Sequence, residues 1–365
     1  MRAMTAPLHF GWYIPTHGDG TTVGDPATFI PPDMDLFMKV AHAAEDAGFE
    51  YALVPVATGC YEAWVSTAMM SARTTRLKML VAARPGLIAP TITAKMVTTF
   101  DQLSRGRVMV NLIAGGGYDE MAQDGIFYDH DERYEVIDET VTLMKRCWTE
   151  EGPVTHSGKY FRVENALVRP VPYQKPHPPF YIGGISPAAQ DVGGKHADVF
   201  LFWGNTPAQI AEDMAAVRVR AASYGRAGTI HYGMRLQVLV RETEEQAWHD
   251  ADALIAHATE KARQTRMTAM GAESHADGRM REFARTTAGD NYRIAPHLWA
   301  GLTTVRHGAG VMIVGNPEQV AETIEEFIAI GCSEFCLSGY THDEEAERFG
   351  RMVMPYFRTR VADFG

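Results

Sequence analysis

Short apolar runs alternate with longer segments in which apolar residues recur every three or four positions, and this alternation repeats along most of the chain. The first run, Leu8-His-Phe-Gly-Trp-Tyr-Ile14, stops at Pro15-Thr-His-Gly-Asp-Gly20, where one proline and two glycines end any strand. Helical spacing then fills 33–48 and closes on Asp46-Ala-Gly48, a glycine where helices commonly terminate. The same reading gives strands at 51–55, 77–83, 108–114, 180–184, 199–203, 233–240 and 334–338. Helices are predicted at 61–72, 90–103, 131–148, 186–193, 206–222 and 317–331. Runs apolar on both faces belong to parallel strands covered by helices, and an even count of eight without a strand-only block predicts a closed (β/α)8 TIM barrel.

Two stretches break the alternation. Residues 153–172 hold turn-bounded runs at 159–163 and 166–169, which predict an inserted β-excursion. Between 240 and 334 the chain carries far more than one helix, the largest insertion, lying between strands 7 and 8. Its polar part, 265–293, contains Gly271, Gly278 and Gly289 and few large apolar groups. Such an excursion on an enzyme reads as a lid, here about 260–310, and otherwise as a surface insertion without a role. The length of 365 residues is compatible with one large domain or two smaller ones; the barrel pattern makes 1–365 a single unit.

Composition narrows the classes. A hydrophobic share of 46% with 22% charged residues supplies a core and excludes disordered and fibrous chains. The net charge of −11 disfavours nonspecific nucleic-acid binding while leaving room for a local basic pocket. Cys60, Cys147, Cys332 and Cys336 lack zinc-site spacing and disulfide density, so they are expected to be free thiols in a reducing compartment. No apolar run reaches transmembrane length and Met1-Arg-Ala-Met-Thr-Ala-Pro7 lacks the apolar middle of a signal peptide, so a cytoplasmic protein without membrane contact is expected. No His-x-x-x-His or paired carboxylates fall at strand ends, so no metal site is predicted.

The polar groups at strand ends carry the chemistry. In Met234-Arg-Leu-Gln-Val-Leu-Val240 an extended chain points Arg235 and Gln237 to one face. An arginine keeps its charge, so a buried one must meet an anion, a carboxylate or a cofactor; an edge strand with one solvated face is the plainer account. Active sites of this fold lie at the C-terminal ends of the strands, which collects His17, Cys60, Arg84, Asn111, Trp203, Arg235, Gln237, Tyr340 and His342 on one rim. Each has an ordinary alternative, such as a packed thiol for Cys60, a core aromatic for Trp203, a turn former for Asn111 or a helix start for His342. Arg306, in Arg306-His-Gly-Ala-Gly310, would add a second positive charge. A phosphate site is also legible in Ile182-Gly-Gly-Ile-Ser186, where Gly184, Ser186 and the following helix start could hold a mononucleotide phosphate. It matches neither a Rossmann fingerprint nor a P-loop. The run Asp129-His-Asp-Glu-Arg-Tyr134 places His130 and Tyr134 near the same rim.

These motifs, together with Cys60-Tyr-Glu-Ala-Trp64, Arg235-Leu-Gln-Val-Leu-Val-Arg-Glu242, Leu298-Trp-Ala-Gly301 and Leu337-Ser-Gly-Tyr-Thr-His342, resemble the bacterial luciferase-like FMN-dependent monooxygenases, in particular their alkanesulfonate monooxygenase branch, over nearly the whole chain. The resemblance implies a two-component enzyme that takes reduced FMN (FMNH2) from a separate NAD(P)H-dependent flavin reductase. With O2 it would cleave the carbon–sulfur bond of an organosulfonate to sulfite and an aldehyde. It implies Asn111, His130, Tyr134, Gly184 and Ser186 as flavin-binding residues. His17, Cys60, Trp203, Arg235, Gln237, Arg306, Tyr340 and His342 are implied as the substrate and oxygen site, and a homodimer or homotetramer as the assembly. The branch usually reads Arg-Leu-His on strand 7; here Gln237 stands third and cannot gain a proton near neutral pH. A glutamine amide can read a hydroxyl, so sulfoquinovose, a sugar sulfonate, stands beside a plain alkanesulfonate as substrate. A catalytically silent flavin- or ligand-binding barrel is the alternative from another class.

Overall fold

The computed structural model describes residues 7–268 and 274–361, so Gly271 of the predicted lid lies outside the described residues. Eight parallel strands close a barrel: β1 (His9–Tyr13), β2 (Tyr51–Val54), β3 (Lys78–Ala83), β4 (Val108–Leu112), β5 (Phe180–Gly183), β6 (Val199–Trp203), β7 (His231–Val240) and β8 (Cys332–Ser338). β8 pairs with both β7 and β1, and β6 with both β5 and β7, which closes the ring. The helices packed outside are α1 (Met34–Ala47), α2 (Ala63–Ser71), α3 (Pro90–Ser104), α4 (His130–Thr149), α5 (Pro187–His196), α6 (Pro207–Ser223), α7 (Pro317–Ala329) and α8 (His342–Met352). The (β/α)8 barrel expected from the alternation is therefore the fold.

Strand alternation sends one set of side chains, including Phe10, Trp12, Met234 and Leu236, outward against the helices. The other set, Tyr13, Tyr51, Leu53, Leu80, Tyr181 and Cys336 among them, packs inside the barrel. Gly11 makes room there, since a Cβ at that position would come within 2.1 Å of the Tyr51 ring. Arg235 and Gln237 share the inward parity, so the common face expected from period two is the barrel interior and not the solvated face of an edge strand.

The barrel floor carries a buried charge network. Lys78 and His9 both bond the Glu50 carboxylate, His9 Nε2 lies 3.9 Å from Glu334, and the Tyr181 hydroxyl donates to Glu334 at 3.3 Å. Burial, reinforced by Glu50, pushes the Glu334 carboxyl up to about 8 against the pull of His9. A carboxyl raised above its ordinary 4.5 keeps a proton that the unfolded chain releases. Its favourable contribution is full below 4.5 and is lost as pH rises toward 8. Glu334→Gln is thus expected to melt progressively higher than the parent as pH is raised across that window. A melting difference that stays flat would contradict it.

The excursions differ from the sequence reading in detail. The hairpin after α4 pairs Val154–Ser157 with Arg162–Ala166, rather than 159–163 with 166–169. Lys159 and Tyr160 form its turn because Glu135 and Glu139 of α4 draw them in: Lys159 Nζ and Tyr160 Oη bond Glu135, and Tyr160 N bonds Glu139. The apolar run at Met312–Gly315 is an additional strand, parallel to the upper half of β7, and Leu298–Trp299 and Arg293–Ala295 extend it. The segment predicted as a lid contains helices Glu260–Thr268 and His275–Thr286. They are joined by Arg266, 1% exposed, which bonds Asp277 at 3.1–3.2 Å and donates to the Thr303 carbonyl at 3.0 Å. Arg279 ties the second helix to Asp213 of α6 at 2.6 Å.

Candidate functional site

β6 ends at Trp203, opposite Arg235, and beyond that level β7 exchanges β6 for the Met312–Gly315 strand, with Gln237 opposite Met312. The exchange opens the barrel mouth and brings in the chain around 304–311. Gly204 permits the close approach, because a Cβ there would meet Leu236 and Val311 at 2.5–2.6 Å.

Arg235 is 6% exposed, its guanidinium lies over the Tyr13 ring with Cζ 4.7 Å from the centroid, and Nη1 donates to the Leu236 carbonyl at 2.8 Å. Arg306 donates to the Ala309 carbonyl at 3.3 Å. Among the described residues neither guanidinium has a carboxylate within ion-pairing distance. Arg84, by contrast, is bound to Glu120 and to Asp124. Burial pulls the Arg235 value down, the Cys336 thiol opposing it and Arg306 adding to it, yet a guanidinium stays charged. Arg235 and Arg306 therefore bring two positive charges to the mouth with no carboxylate paired to either among the described residues.

Around them stand a neutral imidazole, two phenols and a thiol, together with the Asp19 carboxylate, which His342 takes up. His17 is pulled down to about 4, first by burial and then by Arg306, His342 and Arg235, so its imidazole is uncharged at neutral pH. The Tyr13 hydroxyl lies 3.5 Å from His17 Nδ1. Burial raises Tyr13, Tyr340 and Cys60, keeping two phenols and a thiol protonated. His342 starts α8 and is held by Asp19, whose carboxylate accepts the ring Nδ1 at 2.8 Å and the backbone N–H at 2.9 Å. The His342 ring lies edge-on to Tyr340 at 5.1 Å and tilted against Tyr13 at 5.7 Å. The structure thus gathers His17, Arg235, Arg306, Tyr340 and His342 into one cluster, with Trp203 beside Arg235 and Cys60 near enough to Tyr13 to help raise its phenol.

A second cluster forms at the start of α5. Ser186 is its N-cap, accepting the Ala189 N–H at 3.2 Å, and lies beside the Tyr134 phenol, which burial pushes up to about 12. Gly184 has φ of 135°, and a Cβ there would come 2.6 Å from Ala189 and 3.0 Å from the Tyr134 oxygen, so no side chain crowds this corner. The His130 ring lies 5.3 Å from Tyr134 and 5.7 Å from His275 of the excursion. Asn111 faces inward on β4, 8% exposed, its amide without a hydrogen-bond partner among the described residues.

Gln237 is fully buried: Oε1 accepts from Ser338 Oγ at 2.6 Å and Nε2 donates to Ala309 O at 3.1 Å. Sequence reasoning did not single out Tyr13, Asp19 or Ser338. Tyr13 shares the inward parity of its strand, and Asp19 stands two residues after His17, so the spacing carried both; Ser338 has no signal apart from its strand end. Among the described residues no helix is long and apolar enough to cross a membrane.

The fold, the mouth at the strand ends and the motifs around it define a class. Residues 8–334 match the luciferase-like monooxygenase family model, and the chain belongs to that family. Among solved structures it is similar to a riboflavin lyase determined with modified FMN and riboflavin (22% identity, TM-score 0.80, 98% of this chain and 93% of that one). A long-chain alkane monooxygenase superposes at TM-score 0.77 with 18% identity, over 98% and 92% of the two chains. The EDTA monooxygenase of Chelativorans sp. BNC1 does so at 0.76 with 17% identity, over 97% and 94%. At these identities the likeness is one of fold.

Proposed function

We propose that this chain is a two-component FMN-dependent monooxygenase that desulfonates an organosulfonate, with reduced FMN supplied by an NAD(P)H-dependent flavin reductase. The observation that carries the reading is the pair Arg235 and Arg306, two guanidiniums with no carboxylate paired to either among the described residues, beside neutral His17, Tyr13 and Tyr340, while the Asp19 carboxylate nearby is committed to His342. A buried positive charge of this kind calls for an anion, and a sulfonate supplies one. The apolar faces of Tyr13, Trp203 and Tyr340 suit the carbon chain behind it. Gln237 turns its amide to Ser338 and Ala309 with no exposed surface, which favours a plain alkanesulfonate over a sugar sulfonate.

The second cluster fits a phosphate-bearing flavin. Ser186, Tyr134, His130 and the α5 start would hold the phosphate at the corner Gly184 keeps open, and the unpartnered Asn111 amide would meet a polar ring edge. When bound, reduced FMN supplies the electrons that activate O2. The overall balance is one sulfonate, O2 and FMNH2 giving aldehyde, bisulfite, FMN and water. In that reaction Arg235 and Arg306 hold the sulfonate oxygens, and neutral His17 and the Tyr13 and Tyr340 phenols offer uncharged hydrogen bonds around the reacting carbon.

Sulfite release from a panel of alkanesulfonates and sulfoquinovose, with FMN, a flavin reductase and O2, tests the reading. Release from alkanesulfonates is expected. Flavin binding without release from any sulfonate would make the chain a silent binding barrel. In the same assay Ser186→Ala is expected to weaken FMN binding by roughly tenfold, about one lost charge-assisted hydrogen bond, with the order of sulfonate preference unchanged. A change confined to that order would remove Ser186 from the phosphate site.

A further inference from the structure

We propose that Gln237 is a positioning residue that sets the guanidinium of Arg306 by anchoring the Ala309 carbonyl to which both side chains donate. That oxygen receives Gln237 Nε2 at 3.1 Å and Arg306 Nη1 at 3.3 Å, one donor for each of its two lone pairs. The glutamine is fixed from the other side. Ser338 on β8 donates to its Oε1 at 2.6 Å, and its backbone N–H donates to the Val311 carbonyl at 2.9 Å. The side chain is wholly buried, so no water can replace either contact.

The anchored loop is short and tightly placed. Arg306 N bonds the Leu302 carbonyl at 3.0 Å, and Gly310 lies so close to Thr303 that a Cβ would approach its backbone nitrogen to 3.0 Å. Thr303 in turn receives Arg266 from the excursion. One end of the Arg306–Gly310 turn is thus held by the 301–304 segment and the other by β7. A long arginine side chain has many rotamers, and its charge acts at a fixed point only if its hydrogen-bond acceptor is itself fixed. Ala309 is that acceptor and Gln237 fixes it. Glutamine supplies a neutral donor at every pH from acid to alkaline, whereas a histidine at this position would switch charge beside two guanidiniums.

The loop claim stands without any substrate, and the anion claim rests on the proposed function, so two measurements separate them. Hydrogen exchange compares the native chain with Gln237→Leu, which has similar bulk but no amide, and with Gln237→His, whose ring N–H can still reach a carbonyl. Exchange in peptides covering 305–311 is expected to speed up by at least tenfold in Gln237→Leu and to recover in Gln237→His, while peptides from β2 to β5 stay unchanged. Equal exchange of 305–311 in the native chain and the leucine variant overturns the proposal. Exchange raised throughout the barrel overturns it too, since Gln237 would then be a general core residue.

The second measurement is a double-mutant cycle on octanesulfonate binding, read by calorimetry. Gln237→Leu and Arg306→Ala are expected to weaken binding by similar factors and, combined, by little more than either alone. Gln237→Leu combined with Arg235→Met should multiply. Independent, multiplying effects of Gln237→Leu and Arg306→Ala would show that the glutamine does not act through the arginine. A native chain that fails to bind octanesulfonate overturns the sulfonate reading instead, and the exchange measurement then decides the role of Gln237.

Discussion

Arg235→Met is expected to lose activity toward every sulfonate, by roughly 10- to 150-fold in kcat/KM, and to lose no thermal stability. The two halves have one cause. A charge-assisted hydrogen bond to an anion carries about 1.5–3 kcal/mol, and each 1.4 kcal/mol is tenfold. In the absence of an anion that guanidinium is an expense to the fold: it is 6% exposed, and its compensation is one carbonyl at 2.8 Å and the face of Tyr13. Methionine keeps most of the apolar stem and removes the desolvated charge, so the folded state should melt at the same temperature or higher. A residue that weakens the fold while serving the reaction is what a functional site looks like in energetic terms. Activity kept with a lower melting temperature would make Arg235 a structural residue and would take away the main support for an anionic substrate.

The parts of this molecule legible in the sequence are those fixed by local periodicity. Eight apolar runs correspond to eight barrel strands, and strand parity puts Arg235 and Gln237 on one face, which the structure shows to be the inner one. Helix 131–148 is one residue longer at each end, the extension at its start following from the reciprocal cap that Asp129 and Glu132 form ahead of His130. What stayed hidden depends on contacts far apart in the chain. The turn at Lys159 and Tyr160 is drawn in by glutamates on α4, and the strand at Met312–Gly315 exists because β7 outruns β6. Gln237 shows the limit most clearly. Its chemistry as a donor and acceptor was readable, but its partners, Ser338 at a separation of 101 residues and Ala309 at 72, were not.

Asp19 is the other hidden residue, and Asp19→Ala is expected to cost both stability and activity. Its carboxylate accepts His342 Nδ1, His342 N and Gly20 N at 2.8–2.9 Å in a site where it is 5% exposed. Truncation leaves buried donors without acceptors, each worth about 1–3 kcal/mol, and about 3 kcal/mol in sum lowers the melting temperature of a chain this size by several degrees. The His342 ring, no longer held against Tyr340 and Tyr13, would drift beside His17 and Arg235, so turnover should fall with stability. The pH dependence separates this from a simple cavity. Burial pushes the Asp19 carboxyl up, but the bonds from His342 and Gly20 outweigh it and hold the group below its ordinary 3.8. A carboxylate held down stabilises fully above that value and loses its contribution as pH falls through the folded value. The melting difference between the parent and Asp19→Ala should accordingly be constant from neutral pH to about 4 and shrink below it. A difference that persists undiminished into stronger acid would assign the loss to packing alone and leave His342 without the anchor argued for it.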